Sequence, residues 1–114
     1  MRELSAAQIT DAVAKLCIEA NCCLPRDLKA RLQAAYDQEP WPIAKEILGR
    51  ILENADIAAA RPQPICQDTG VACVFVELGQ EVHISGDLNA AIHEGVRRGY
   101  TQGYLRKSVV RDPL

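Results

Sequence analysis

The feature that most constrains this chain is a change in its apolar rhythm at Pro62-Gln63-Pro64. Before that point apolar residues recur at helical spacing: Ile9, Val13, Leu16, Cys17 and Ala20, then Leu28, Leu32 and Ala35, then Ile43, Ile47, Leu48, Ile51, Leu52 and Ala55. The spacing predicts three helices. Ser5 with Gln8 fits a capping box that starts the first helix near Ala6. Pro25, and then Pro40 with Pro42, mark the boundaries, because proline has no amide donor and clashes with a preceding turn. Trp41, between two prolines, reads as a packing staple at a helix start.

Beyond the prolines comes a polar loop and then Val71-Ala72-Cys73-Val74-Phe75-Val76, β-branched and apolar on both faces. This pattern predicts a buried strand. Gly79-Gln80 supplies a turn into Val82-His83-Ile84, which makes a hairpin, and Gly86-Asp87 then caps a last helix carrying Leu88, Ala91, Ile92, Gly95, Val96 and Gly99 on one side. The expected fold class is α/β (α+β), with N-terminal helices followed by a small β-sheet and a packing helix. It forms a single domain over 1–114, helical over 1–61, with the loop, strands and last helix over 62–114.

Gly95, Gly99 and Gly103 recur every four residues, and each costs about 1 kcal/mol against alanine inside a helix. Close approach of another backbone would offset that cost. The final residues Val109-Val110-Arg111-Asp112-Pro113-Leu114 are apolar and extended in character, so further polypeptide is expected after them.

Composition narrows the function. With 13 Lys plus Arg against 15 Asp plus Glu, the formal charge is −2, and aromatics make up 4% of the chain. There is no basic field for phosphates and no platform for stacking bases, which argues against nucleic acid. No stretch approaches the ~20 apolar residues that span a bilayer, which argues against membrane insertion. The amino end lacks the apolar run of a secretory signal, so a cytoplasmic location is expected, with the five cysteines as reduced thiols.

The chemistry concentrates in Pro64-Ile65-Cys66-Gln67-Asp68-Thr69-Gly70, a thiol, an amide, a carboxylate and a hydroxyl in sequence on a loop. Such a loop is equally readable as an ordinary turn, with Asp68 and Thr69 bonding local amides and Gly70 supplying a positive φ. Elsewhere the signals are weaker. His83 and His93 share no motif, and Thr69 and Ser108 have no neighbouring base. Lys107 and Arg111 read as solvated or as lining an anion pocket. No C-x-x-C occurs, which argues against a thiol redox protein.

Ile-Cys-Gln-Asp-Thr-Gly followed by an apolar run resembles the iron–sulfur-dependent class I fumarate hydratases and the related L-tartrate dehydratase α subunits. Leu105-Arg106-Lys107-Ser108-Val109-Val110-Arg111-Asp112-Pro113-Leu114 looks like that family's arginine-bearing segment, and the helices before Pro62 match its general layout. The resemblance implies that Cys66 is one of three thiolates holding a [4Fe-4S] cluster whose remaining iron binds substrate. It implies that Gln67, Asp68 and Arg106 contact substrate, and that the other two cysteines and the acid/base residues come from later sequence. A hydro-lyase follows, interconverting fumarate and L-malate, with L-tartrate dehydration as the nearest variant. The partners it implies are a small dicarboxylate, the remainder of the α subunit, a β subunit or C-terminal domain, and an oligomeric assembly.

The residue types suit that chemistry. Adding water across a double bond between two carboxylates needs a Lewis acid for the hydroxyl and cations for the dianion. Arg106 has the planar fork that pairs two oxygens of a carboxylate, and Gln67 can donate to others. Asp68 beside a dianion is repulsive unless it bonds a hydroxyl, is protonated or pairs with an arginine, so it reads as a contact and not as the base. A reading from a different class remains open: a metal-free module that binds a partner subunit through the glycine-striped helix.

Overall fold

The structure is a computed structural model and describes residues 1–67, 69–109 and 111–112. Its elements are β1 (Arg2–Ser5), α1 (Ala6–Cys22), α2 (Arg26–Gln38), α3 (Pro42–Ala60), β2 (Val82–Ser85) and α4 (Leu88–Gln102). The α/β class follows directly, with helices, a small two-stranded sheet and a packing helix. The chain divides into two compact units, residues 1–19 with 67–114, and residues 20–66.

In the first unit, the start of α1 is fixed as its sequence predicts. The Ser5 amide donates to Gln8 Oε1 at 2.9 Å, and the Gln8 amide donates to Ser5 Oγ at 3.3 Å, the reciprocal pattern of a capping box. Asp87 caps α4 with a single bond, its carboxylate accepting from the Ala90 amide at 3.0 Å. Between β2 and α4 the chain turns at Gly86, whose φ of +113° is open to glycine and strained for any other residue.

Helix α4 lies on α1 through its glycines. A Cβ at position 95 would come within 2.7 Å of Val13 Cβ and 2.8 Å of the Thr10 carbonyl oxygen. One at position 99 would meet the Ala14 carbonyl oxygen at 2.7 Å and Cys17 Cβ at 2.8 Å. The backbone that approaches the glycine stripe is therefore α1. Thr10, buried at the contact, donates through Oγ1 to the Ala91 carbonyl at 3.0 Å, so its hydroxyl is satisfied where water is excluded. Val13, Cys17 and Leu105 form the core, with Ile9, Ile92, Val96 and Tyr100 packed around them.

The sheet departs from the expected hairpin. β2 pairs with β1, in parallel, with Leu4 opposite Ile84. The turn before β2 does form, with the Val82 amide donating to the Gly79 carbonyl at 3.0 Å. Residues 71–79, however, adopt no regular structure, and they are exposed, with Phe75 at 95%. A strand that is apolar on both faces needs a cover on each, and neither is supplied to it within this unit. Cys73 is accordingly exposed and outside any strand. β1 escaped the sequence reading because Arg2-Glu3-Leu4-Ser5 is too short and polar to show a strand period.

In the second unit, α2 and α3 start where the prolines predict, with Pro25 immediately before α2 and Pro42 in the first turn of α3. Leu52, Ala55 and Ala58 form the buried stripe of α3. Tyr36 of α2 lies against Gly49 of α3, and Lys45 stands 4.9 Å from the centre of its ring. Lys29 and Asp56 form an ion pair. Trp41 occupies the cap position of α3 and is 59% exposed, so it does not pack as a staple.

The α1–α4 contact sets the sign of a substitution. Alanine at position 99 gains roughly 1 kcal/mol of helix propensity, but its methyl would press on a backbone carbonyl that cannot move aside, and overpacking costs about 1–3 kcal/mol or more. Gly99→Ala is therefore expected to lower the stability measured by urea denaturation, and Gly99→Val to lower it further. An unchanged or raised midpoint for Gly99→Ala would contradict the packing.

Candidate active site

The loop that carries Cys66 is held just before the cysteine. In the unit of residues 20–66, the Ile65 amide donates to the Asn21 carbonyl, in the last turn of α1, at 2.8 Å. That carbonyl is one of the acceptors a helix end leaves without an intrahelical partner. The Ile65 carbonyl in turn accepts from Asn54 Nδ2 of α3, also at 2.8 Å. Cys66 itself is an exposed, free thiol.

Gln67 and Arg106 are brought together in the other unit, where Arg106 Nη1 donates to the Gln67 carbonyl at 2.8 Å. Arg106 owes its position to what precedes it. Gly103 ends α4, its amide donating to the Gly99 carbonyl at 2.9 Å. The Leu105 amide donates to the Tyr100 carbonyl at 3.1 Å, and the Leu105 side chain is 6% exposed in the core. Arg106 thus leaves a buried anchor toward solvent. Asp68 lies outside the described residues, as do Val110, Pro113 and Leu114.

Beside Arg106 is a cavity of about 310 Å³ bounded by Val71, Val96, Tyr100, Arg106, Lys107 and Ser108. That size is at the small end for ligand pockets. Arg97 also reaches it, but its guanidinium is committed to Glu94 through two bonds of 2.6 Å. Arg98 donates to the same carboxylate at 2.7 Å. Lys107 donates to Thr101 Oγ1 at 3.1 Å. Arg106 and Lys107 both line this cavity, so two cationic side chains border it. The Ser108 hydroxyl is buried and finds no hydrogen-bond partner among the described residues.

The hydrogen bonds from Arg97 and Arg98 hold the Glu94 carboxyl down to about 2, and the same carboxylate raises Arg97. Burial pushes the Cys17 and Cys22 thiols up, with neighbouring Cys23 adding to the effect at Cys22. His83 and His93 are exposed, His83 on β2 and His93 on α4.

The donor chemistry bears on a metal cluster as follows. Among the described residues no three His, Cys, Asp or Glu side chains gather to hold a metal ion. Cys66 is a single soft donor, outside any disulfide and exposed to solvent on a backbone fixed at the preceding residue. It fits a group that takes one thiolate from this chain and the rest from elsewhere. The sequence reading missed Asn54, because an asparagine within a helical pattern carries no sign of what its side chain reaches. Among the described residues no helix is long and apolar enough to cross a membrane.

The comparisons with known proteins converge on one group. The family model described as fumarate hydratase (Fumerase) matches residues 10–114, and the chain belongs to that family. It is 39% identical over 105 residues to a provisionally named L(+)-tartrate dehydratase subunit alpha of Methanocaldococcus jannaschii, covering 90% of this chain and 37% of that protein. It is 26% identical over 103 residues to the L(+)-tartrate dehydratase subunit alpha of Escherichia coli K12, covering 90% of this chain and 34% of the relative. The Shigella boydii protein of the same name gives the same figures. The chain therefore spans little more than a third of the length of these relatives.

Two expectations follow. Cys23, Cys66 and Cys73 should react with a thiol reagent under native conditions, and Cys17 and Cys22 only on unfolding, as followed by peptide mapping. Fast native labelling of Cys17 would contradict the core. For Glu94, a folded value near 2 against the ordinary 4.5 means that the folded state binds fewer protons. Its stabilising effect is complete above pH 4.5 and is lost as the pH falls toward 2. The difference in melting temperature between wild type and Glu94→Gln should be constant near neutrality and shrink across that interval. A difference independent of pH would count against the pairing.

Proposed function

We propose that this chain is the N-terminal part of the α subunit of a hydro-lyase that reversibly hydrates fumarate to L-malate. In this reading Cys66 supplies one of three thiolate ligands to a [4Fe-4S] cluster, and Gln67, Asp68 and Arg106 contact the four-carbon diacid. Membership in the fumarate hydratase family supports it. The observation that carries it to residues is the bond from Arg106 to the Gln67 carbonyl, which brings a guanidinium beside the backbone that follows Cys66 in the chain.

The chain's own residues divide the work. Arg106 spends one N–H on the Gln67 carbonyl and keeps the others for a substrate carboxylate, where a charge-assisted pair gives both affinity and orientation. The Gln67 side chain donates to remaining substrate oxygens. Asp68 accepts from the substrate hydroxyl, one of the roles in which its charge does not oppose the dianion. Lys107, at the same cavity, adds to the positive field. When bound, a cluster iron with no protein ligand supplies Lewis-acid polarisation of the hydroxyl that is added or lost.

A second reading is favoured by the relatives, which are named as L(+)-tartrate dehydratase α subunits. Dehydrating L-tartrate uses the same parts, with one more substrate hydroxyl to accommodate. Their designation as α subunits supports a β subunit or an equivalent C-terminal domain as partner in an oligomer. Five cysteines outside any disulfide suit a reducing cytoplasm.

The test uses the complete protein with its partner, prepared without oxygen and assayed with fumarate, L-malate and L-tartrate. Cys66→Ala should lose visible colour, iron and activity together. Arg106→Ala should raise KM by roughly 10- to 100-fold, the scale of one lost charge-assisted pair. A coloured, active Cys66→Ala protein would overturn the assignment.

A further inference from the structure

We propose that Asn54 is a positioning residue for Cys66, fixing the loop backbone from which the thiolate is presented. The inference rests on the proposed role of Cys66. Its own ground is the pair of hydrogen bonds on Ile65, one from its amide to the Asn21 carbonyl and one to its carbonyl from Asn54 Nδ2, both 2.8 Å. Together they tie the peptide groups just before Cys66 to the end of α1 and to the face of α3, within the unit of residues 20–66.

The chemistry of the bond identifies asparagine as the group needed. A peptide carbonyl only accepts, so the side chain facing it must donate, and of the two ends of the carboxamide only the nitrogen can do so. Asparagine is a poor residue for the interior of a helix because its side chain competes for backbone groups. At position 54 it sits within α3, away from both ends, where neither capping nor turn formation accounts for it. It reaches across 11 positions of sequence to the loop instead. A loop thiol held in this way loses less freedom when it takes up a metal, which raises retention of a cluster without any contact between Asn54 and the cluster.

Two variants separate the bond from the space that Asn54 fills. Asn54→Ala removes the donor and the volume, and Asn54→Asp keeps the volume but turns an acceptor toward an acceptor. In the complete protein, both should lose the visible absorbance of the cluster in air roughly three- to tenfold faster than wild type, the range of one net hydrogen bond. In both, amide exchange measured without cluster should quicken over residues 65–67 and remain at wild-type rates along α3. That pattern supports the proposal. Wild-type exchange at 65–67, exchange quickened throughout α3, or unchanged cluster loss overturns it. A wild-type protein that takes up no iron defeats the proposed function instead, a result obtained before any variant is made.

Discussion

The unit that carries Arg106 depends on the near contact of two helix backbones. Gly95 and Gly99 let α4 approach α1 until a single methyl would collide with a main-chain carbonyl. Only at that separation does the Thr10 hydroxyl reach the Ala91 carbonyl and does Leu105 find a closed core against Val13 and Cys17. The order of dependence runs outward from there. The contact fixes the end of α4, the end of α4 fixes the turn through Gly103, and the turn delivers Arg106 from a buried neighbour. The helix-breaking tendency of glycine, about 1 kcal/mol at each position, is offset by the packing that its missing side chain permits.

Much of this could be read before any coordinates, and the reasons differ by element. The capping box at Ser5 and Gln8, the cap at Asp87 and the helix starts after Pro25 and at Pro42 are local devices, satisfied by residues three or four apart. A linear sequence displays those. The glycine stripe announced a close backbone without naming it, since the partner is far away in sequence. The sheet was misread because pairing is a competition. Residues 71–76 have the stronger β character, yet β2 pairs with a short polar segment at the amino end that lies within reach. Propensity indicates what a segment prefers, and topology decides which partner is available.

The site divides along the same line. Cys66, Gln67, Asp68 and Arg106 are proposed from their motifs, and of these the structure joins Gln67 to Arg106. Asp68 lies outside the described residues. Asn54 was not legible at all, because its significance lies in one hydrogen bond to a main-chain oxygen that any residue at position 65 would offer. Side chains that act on the backbone leave no pattern in composition or spacing.

The exposed run from Val71 to Leu78 has a further consequence. Val71-Ala72-Cys73-Val74-Phe75-Val76 contains no charge, no proline and no glycine, and its open peptide groups can template another copy of itself. A chain in this condition is sticky during synthesis, when neighbouring ribosomes hold identical segments close together. Glu77 and Glu81 follow the run closely, and acidic residues in that place act as gatekeepers that repel a second copy of an exposed stretch.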